Sequence, residues 1–198
     1  MKFTRLLLAA TLGITLLSGC AGTNFIRPEA GALVVGQSKQ GDVTQKLGAP
    51  MQTGELTKND KQLKVLKYAY AQSAGGEPLY AGVVPVRSMA FAFFNDTLVS
   101  QEFVSSFKAD ATDFDGAKVK QIVKGKSRKD DVMALLGKPS GEAVYPVVKS
   151  SDDRALVYSY TQAKGSVFNM KFHTKTLVVS YDRNNLVTDV DYSTSGDQ

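Results

Sequence analysis

Tryptophan is absent, and cysteine and histidine occur once each in 198 residues. One cysteine forms no internal disulfide, and one histidine with one thiol is too few ligands for a His/Cys zinc site. Disulfide scaffolds, thiol relays and most metalloenzymes are therefore excluded. Neither sign of charge dominates: 24 Lys and Arg against 19 Asp and Glu leave +5, and charged residues are 22% of the chain. With 43% hydrophobic residues and no low-complexity tract, the composition is that of a folded protein, long enough for one large domain or two small ones. Long hydrophobic runs are missing too. The longest, Leu6 to Leu17, has twelve residues, short of the roughly 20 that cross a bilayer as a helix.

Lys2 and Arg5 precede that run and Ser18 and Gly19 follow it, the order of a secretory signal peptide over residues 1–19. The single cysteine stands at the cleavage boundary, in Leu17-Ser18-Gly19-Cys20, and this resembles the lipobox of bacterial lipoproteins. The resemblance implies that the mature chain begins at a lipidated Cys20, is anchored by several acyl chains and faces the periplasm. Ala21 in place of Asp implies sorting to the outer membrane. Residues 20–27 then form a short linker. Loss of Lys2 and Arg5 lowers the net charge to +3, and an exported lipoprotein has no nucleic-acid partner to meet.

Self-comparison finds an internal repeat. At an offset of 89, Gly36-x-Ser38-x(3)-Asp42-Val43-x(3)-Leu47-Gly48-x-Pro50 matches Gly125-x-Ser127-x(3)-Asp131-Val132-x(3)-Leu136-Gly137-x-Pro139. Seven of fifteen positions are identical, where about one is expected by composition, so the segment is duplicated. Tyr68-Ala-Tyr70 echoes Tyr158-Ser-Tyr160, and Leu98-Val99 echoes Leu186-Val187. Two units are expected, over 28–107 and 112–195.

Each residue type in the motif fits a short helix. Ser38 and Ser127 read as N-caps, Asp42 and Asp131 as first-turn acids, Val43/Leu47 and Val132/Leu135/Leu136 as the buried stripe. Gly48 and Gly137 read as left-handed terminators, with Pro50 and Pro139 beyond. A preceding helix is expected over Pro28–Val35 and, in the second copy, between Asp115 and Lys124 with Val119, Ile122 and Val123 on one face. Alternating Leu66/Tyr68/Tyr70 and Leu156/Tyr158/Tyr160 then predict strands. More strands are expected at 88–95, 98–105, 176–182 and 186–193, with turns at Asn95-Asp96 and Asn184-Asn185. Short ones fit near 51–56, 140–146 and 167–173. The expected fold class is α+β, as two tandem helix–helix–antiparallel-sheet units.

The motif behind a lipobox resembles the SmpA/OmlA (BamE-like) family of outer-membrane lipoproteins. The tandem arrangement resembles the β-lactamase inhibitor protein (BLIP-like) architecture. These resemblances imply a non-enzymatic lipoprotein without cofactor or metal that binds other envelope proteins, as an accessory to outer-membrane β-barrel assembly or envelope integrity. The alternatives are an inhibitor that binds a periplasmic enzyme and, last, a cell-wall hydrolase.

Chemical motifs are sparse. Gly125-Lys126-Ser127 lacks the first glycine of a phosphate loop, that position being Lys120. His173 has no nucleophile in sequence, and Asp152-Asp153 and Asp189-x-Asp191 read as solvated acids. Lys118, Lys120, Lys124, Lys126, Arg128 and Lys129 place six bases in twelve residues. They suit a solvated helix face, or else an anionic headgroup or acidic partner surface. The aromatic stripe of Tyr68, Tyr70, Phe91, Phe93, Tyr158, Tyr160 and Tyr181 suits a sheet core or a binding face. Leu66 and Leu156 on the same face favour core. The glycine-rich stretch Ser73–Pro85 reads as a protruding loop with Tyr80 as its contact residue. Cys20→Ala is expected to move the protein from the membrane to the soluble fraction and to remove the acyl mass from the mature chain. Unchanged pelleting and mass would show that Cys20 is not acylated.

Overall fold

Two-residue turns set the strand pairing. Asn59-Asp60 (φ 47° and 57°) and Asn95-Asp96 (φ 48° and 64°) are left-handed at both positions. Asn and Asp tolerate this, and the twist of adjacent strands requires it. The first joins β1 (Gln52–Lys58) to β2 (Lys61–Ala71), and the second joins β4 (Val86–Phe94) to β5 (Thr97–Ser105). Before β4 lies the two-residue β3 (Val83–Val84). The second half contributes β6 (Gly141–Val144), β7 (Arg154–Ser166), β8 (Asn169–Tyr181) and β9 (Val187–Gly196). At the β8–β9 turn Asp182 Oδ1 accepts the N–H groups of Asn184 and Leu186 at 2.8 and 2.9 Å. The computed structural model describes residues 22–72, 75–166 and 169–196. The expected signal peptide and Cys20 lie outside them.

The strands pair as one antiparallel sheet in the order β1-β2-β4-β5-β6-β7-β8-β9, with β3 added beside β7. This overturns the expected pair of helix–helix–sheet units. Among the described residues the α-helices are two eight-residue pieces, α1 (Gln40–Leu47) and α2 (Lys129–Leu136). Residues 28–35 are irregular, with a turn and bend over residues 30–33 in which Gly31 has φ 83°. Residues 116–121 are a single 3-10 stretch that leaves Val123 exposed. Segments this short have no helical stability of their own, so main-chain contacts with the sheet decide their shape. The halves join where Ser100, Gln101 and Glu102 of β5 pair with Ala143, Glu142 and Gly141 of β6. A Cβ on Gly141 would stand 1.9 Å from the Gln101 carbonyl oxygen, so only glycine lets the strands approach here.

The shared motif acts through docking. Gly36 N–H donates to Leu98 O (2.7 Å) and Leu98 N–H to Ser38 O (2.8 Å); Gly125, Val187 and Ser127 repeat this at 2.8 and 2.9 Å. The hydroxyls of Ser38 and Ser127 accept the N–H groups of Val34 and Val123, both at 2.9 Å. They close the preceding turn and are not N-caps; the N-cap positions are Lys39 and Arg128. The carboxylates of Asp42 and Asp131 accept those two N–H groups at 2.7 and 2.8 Å, next to the positive end of the helix. Gly48 (φ 76°, ψ −159°) and Gly137 (φ 82°, ψ −156°) end the helices in a region reserved for glycine and distinct from the left-handed helical one. Their carbonyls accept the hydroxyls of Tyr68 and Tyr158 at 2.9 and 3.0 Å, which links the motif to the Tyr-x-Tyr strands.

Two cores lie beneath the helices. Val43 packs with Leu66, Tyr68, Phe91, Phe93 and Leu98, and Val132 with Leu156, Tyr158, Leu177, Val179 and Tyr181. Tyr70 is half-buried; the rest of the aromatic stripe is buried. On the opposite face Tyr145, Val147 and Val148 cover Ala143, Ala155 and Val157, and Asn59 Nδ2 donates to the carbonyls of Pro146 (3.0 Å) and Val148 (2.8 Å). Gly141→Ala is expected to cost about 1–3 kcal/mol in denaturant unfolding and to speed amide exchange at Gln101–Phe103. Wild-type stability would show that the seam tolerates a side chain.

Candidate functional site

Beyond the second core, the β7–β8 ladder carries polar residues on its helix-side face. Tyr160 lies opposite Lys175, Gln162 opposite His173, and Lys164 opposite Lys171. No helix reaches these rungs. They are flanked by the inter-unit linker with Asp113 and by the 75–85 loop with Tyr80, which leave an open pocket of about 340 Å³. β3 fixes that loop, since Val83 and Val84 pair with Lys164 and Ala163.

Asp113 organises these flanks. Its Oδ1 lies 2.6 Å from Lys175 Nζ, with both side chains largely buried, and also accepts the Phe114 N–H at 2.9 Å. The Tyr80 hydroxyl donates to Oδ2, and Lys175 Nζ donates to the Phe114 carbonyl. The ammonium lies 4.9 Å from the Phe114 ring centroid and 5.8 Å from that of Tyr160, a weakly hydrated setting that suits a paired cation. The bond to Asp113, with some burial, holds the Tyr80 hydroxyl up to about 12. Burial first, and then the charge of Asp113, pushes Tyr160 well above the usual phenol range. Tyr160 Oη and His173 Nδ1 are buried with no hydrogen-bond partner among the described residues.

The first copy has a counterpart of this arrangement. Arg87, at the offset position of Lys175, meets Asp110 at 2.7 Å and donates to Asn24 Oδ1 and the Phe25 carbonyl, both at 2.9 Å. Asn24-Phe25 stands where Asp113-Phe114 stands in the second copy. There the equivalent of Tyr160, Tyr70, donates to Gln72 Oε1 at 3.3 Å and stacks on Phe107 at 5.9 Å.

Of the residues singled out in the sequence, Tyr80, Tyr160 of the aromatic stripe and His173 line this pocket. Tyr80 is 45% exposed, and its ring edge meets Tyr160 at 6.3 Å. The basic cluster lies elsewhere, spread over the 3-10 stretch, the turn after it and the start of α2, and so forms no single helix face. Lys118 donates to Leu135 O (3.4 Å) and Arg128 to Asn184 O (2.8 Å), while Lys129 lies 5.3 Å from the Tyr181 ring centroid. Lys124 adds to the lowering of the Asp189 carboxyl, whose main cause is its bond to Lys149. Lys120 and Lys126 are exposed. The motif residues Gly36, Ser38, Val43, Leu47, Gly48, Pro50, Gly125, Ser127, Val132, Leu136, Gly137 and Pro139 serve docking and packing as described. Sequence reasoning missed Asp113, Gln162 and Lys175 and left His173 as an ordinary strand residue. Extending the repeat alignment to Arg87/Lys175 and Phe25/Phe114 brings out part of this set.

A second surface is the helix-free face of the sheet. Where residues 145–148 do not cover it, a groove of about 450 Å³ runs over Leu56, Val65, Lys67, Ala90, Ala92, Ser100, Glu102, Thr176 and Val178. Small side chains from both halves leave it open. Among the described residues no three His, Cys, Asp or Glu side chains gather as a metal group, and no helix is long and apolar enough to cross a membrane.

No family model matches the chain, and no curated protein matches it; the SmpA/OmlA resemblance has no support from either. Among solved structures, a Streptococcus mutans protein provisionally described as a beta-lactamase inhibitor protein is distantly similar. It shares 12% identity over 82% of this chain and 90% of that one, with a TM-score of 0.40.

The Tyr80–Asp113 bond predicts a pH response. A phenol raised on folding stabilises the protein below its unfolded value near 10, and the gain disappears as pH climbs through about 12. In Asp113→Asn, tyrosinate absorbance is expected to show one phenol titrating closer to 10. An unchanged titration curve would show that the bond does not hold the proton.

Proposed function

We propose that the protein is a lipoprotein of the bacterial envelope, acylated at Cys20, held at the outer membrane and facing the periplasm. In this reading it is a non-catalytic binder of envelope proteins and serves outer-membrane protein assembly or envelope integrity. The lipobox supports the anchor. The observation that carries the binding role is the continuous sheet with its groove, built from small side chains of both halves and flanked by Lys67 and Glu102. Protein partners use this kind of surface, wide and shallow with mixed polarity. The hydroxyls of Ser38 and Ser127 are engaged by main-chain N–H groups, which fits a structural role better than a nucleophilic one.

The test is cross-linked affinity purification from detergent-solubilised membranes, comparing wild type with Ala90→Arg/Thr176→Arg. Both positions are half-buried on the groove floor, so the double variant is expected to keep its circular dichroism and melting behaviour while losing the partner at least about tenfold. Recovery of barrel-assembly subunits by wild type alone supports the proposal. Recovery of a single soluble enzyme would replace it with the inhibitor alternative. Peptidoglycan breakdown by the purified protein would overturn the non-catalytic reading.

A further inference from the structure

The two copies differ where Tyr70 and Tyr160 correspond. In copy one the locus is filled: Tyr70 donates to Gln72, Phe107 lies on its ring, and Gly22 pairs with its main chain. In copy two the same rung opens into the pocket, with Tyr160 Oη and His173 Nδ1 unpartnered and Gln162 beside them. A buried hydroxyl or imidazole nitrogen without a partner carries a desolvation cost, which a bound acceptor or donor removes.

We propose that this pocket binds a small organic carboxylate, either a free acid or the C-terminal carboxylate of a peptide. The charge arrangement selects an anion. The carboxylate of Asp113 is already taken by Lys175, the Phe114 N–H and Tyr80. Unused capacity consists mainly of donors: the Tyr160 hydroxyl, the Gln162 amide and the Lys164 ammonium. No arginine fork and no helix N-terminus lines the pocket, so phosphate lacks its usual cradle. A volume of about 340 Å³ is at the small end for ligand sites and fits an amino-acid-sized acid. The site is on the opposite face from the groove and does not depend on the function proposed above.

The test is an amide-resonance titration of the purified, nitrogen-15-labelled protein. N-acetylglycine is expected to shift residues 160–164 and 173–175 saturably, while N-acetylglycinamide binds about tenfold or more weakly. Tyr160→Phe removes an unpartnered hydroxyl, so it keeps or raises the melting temperature yet weakens N-acetylglycine about tenfold. Gln162→Met serves the same purpose should Tyr160→Phe misfold. A tripeptide with a free C-terminus that binds more tightly than N-acetylglycine identifies a peptide terminus; equal or weaker binding identifies a free acid. Either result upholds the carboxylate site. The proposal is overturned by no saturable shift with the acid, equal binding of the amide, equal or tighter binding of inorganic phosphate, or undiminished binding by a folded variant.

Discussion

The rest of the structure depends on the three residue pairs that join β5 to β6. They turn two four-stranded meanders into one sheet and fix the distance the inter-unit linker must cross. Leu63, Val65, Ala92 and Val99 of the first half then share a face with Val144 and Val147 of the second. With the halves held side by side, the loop before β4 reaches far enough for β3 to add to β7. The flanks of the pocket on the β7–β8 ladder are therefore supplied by the first half and by the linker, and the pocket belongs to neither copy alone. Burial across the seam costs little in exposed strand edge, because pairing removes two edges at once.

The linker acts as a strap with one acid for each half. Asp110 holds Arg87 and Asp113 holds Lys175. Arginine, with its planar fork, also satisfies Asn24 Oδ1 and the Phe25 carbonyl and lies 4.9 Å from the Phe107 ring centroid. Lysine at the matching place is a point charge, and the acid beside it is free to accept a third donor, Tyr80. The exchange of base and that of Asn24 for Asp113 add to the stacking of Phe107 on Tyr70 in separating the closed locus from the pocketed one.

The repeat and the turns were legible because they are local. Asn95-Asp96 and the Gly-Pro stops act over a few residues, and alternating Tyr-x-Tyr marks a half-covered strand wherever it pairs. The helices were over-read for the same reason. Pro28–Val35 and Asp115–Lys124 have apolar spacings that suit an α-helix, yet Leu33 and Val35 reach the core from turns and bends, Val119 from a 3-10 stretch and Ile122 from just beyond it. Ser38 has the composition of a cap but is held by hydrogen bonds to β5, about 60 residues away, a pairing no window of sequence contains. The site was the least legible part. Asp113, Gln162, His173 and Lys175 carry no mutual spacing, and only the β7–β8 register with the loop that β3 anchors brings them together.

Gly141 has a counterpart in the first copy, and it is Gln52. β1 and β9 are the outer strands, so each chain carries one edge of the β6 kind and one of the β5 kind, the prerequisites for open head-to-tail growth. The glycine that permits the internal junction is missing from β1: a Gln52 Cβ would press on the incoming carbonyl as any side chain would at Gly141. On β9, Asp189 and Asp191 stand where Ser100 and Glu102 stand on β5, and Lys149 covers the first of them. The chain thus permits this junction once internally, while β1 lacks its glycine and β9 carries an acid in place of Ser100, which disfavours head-to-tail growth through the same pairing.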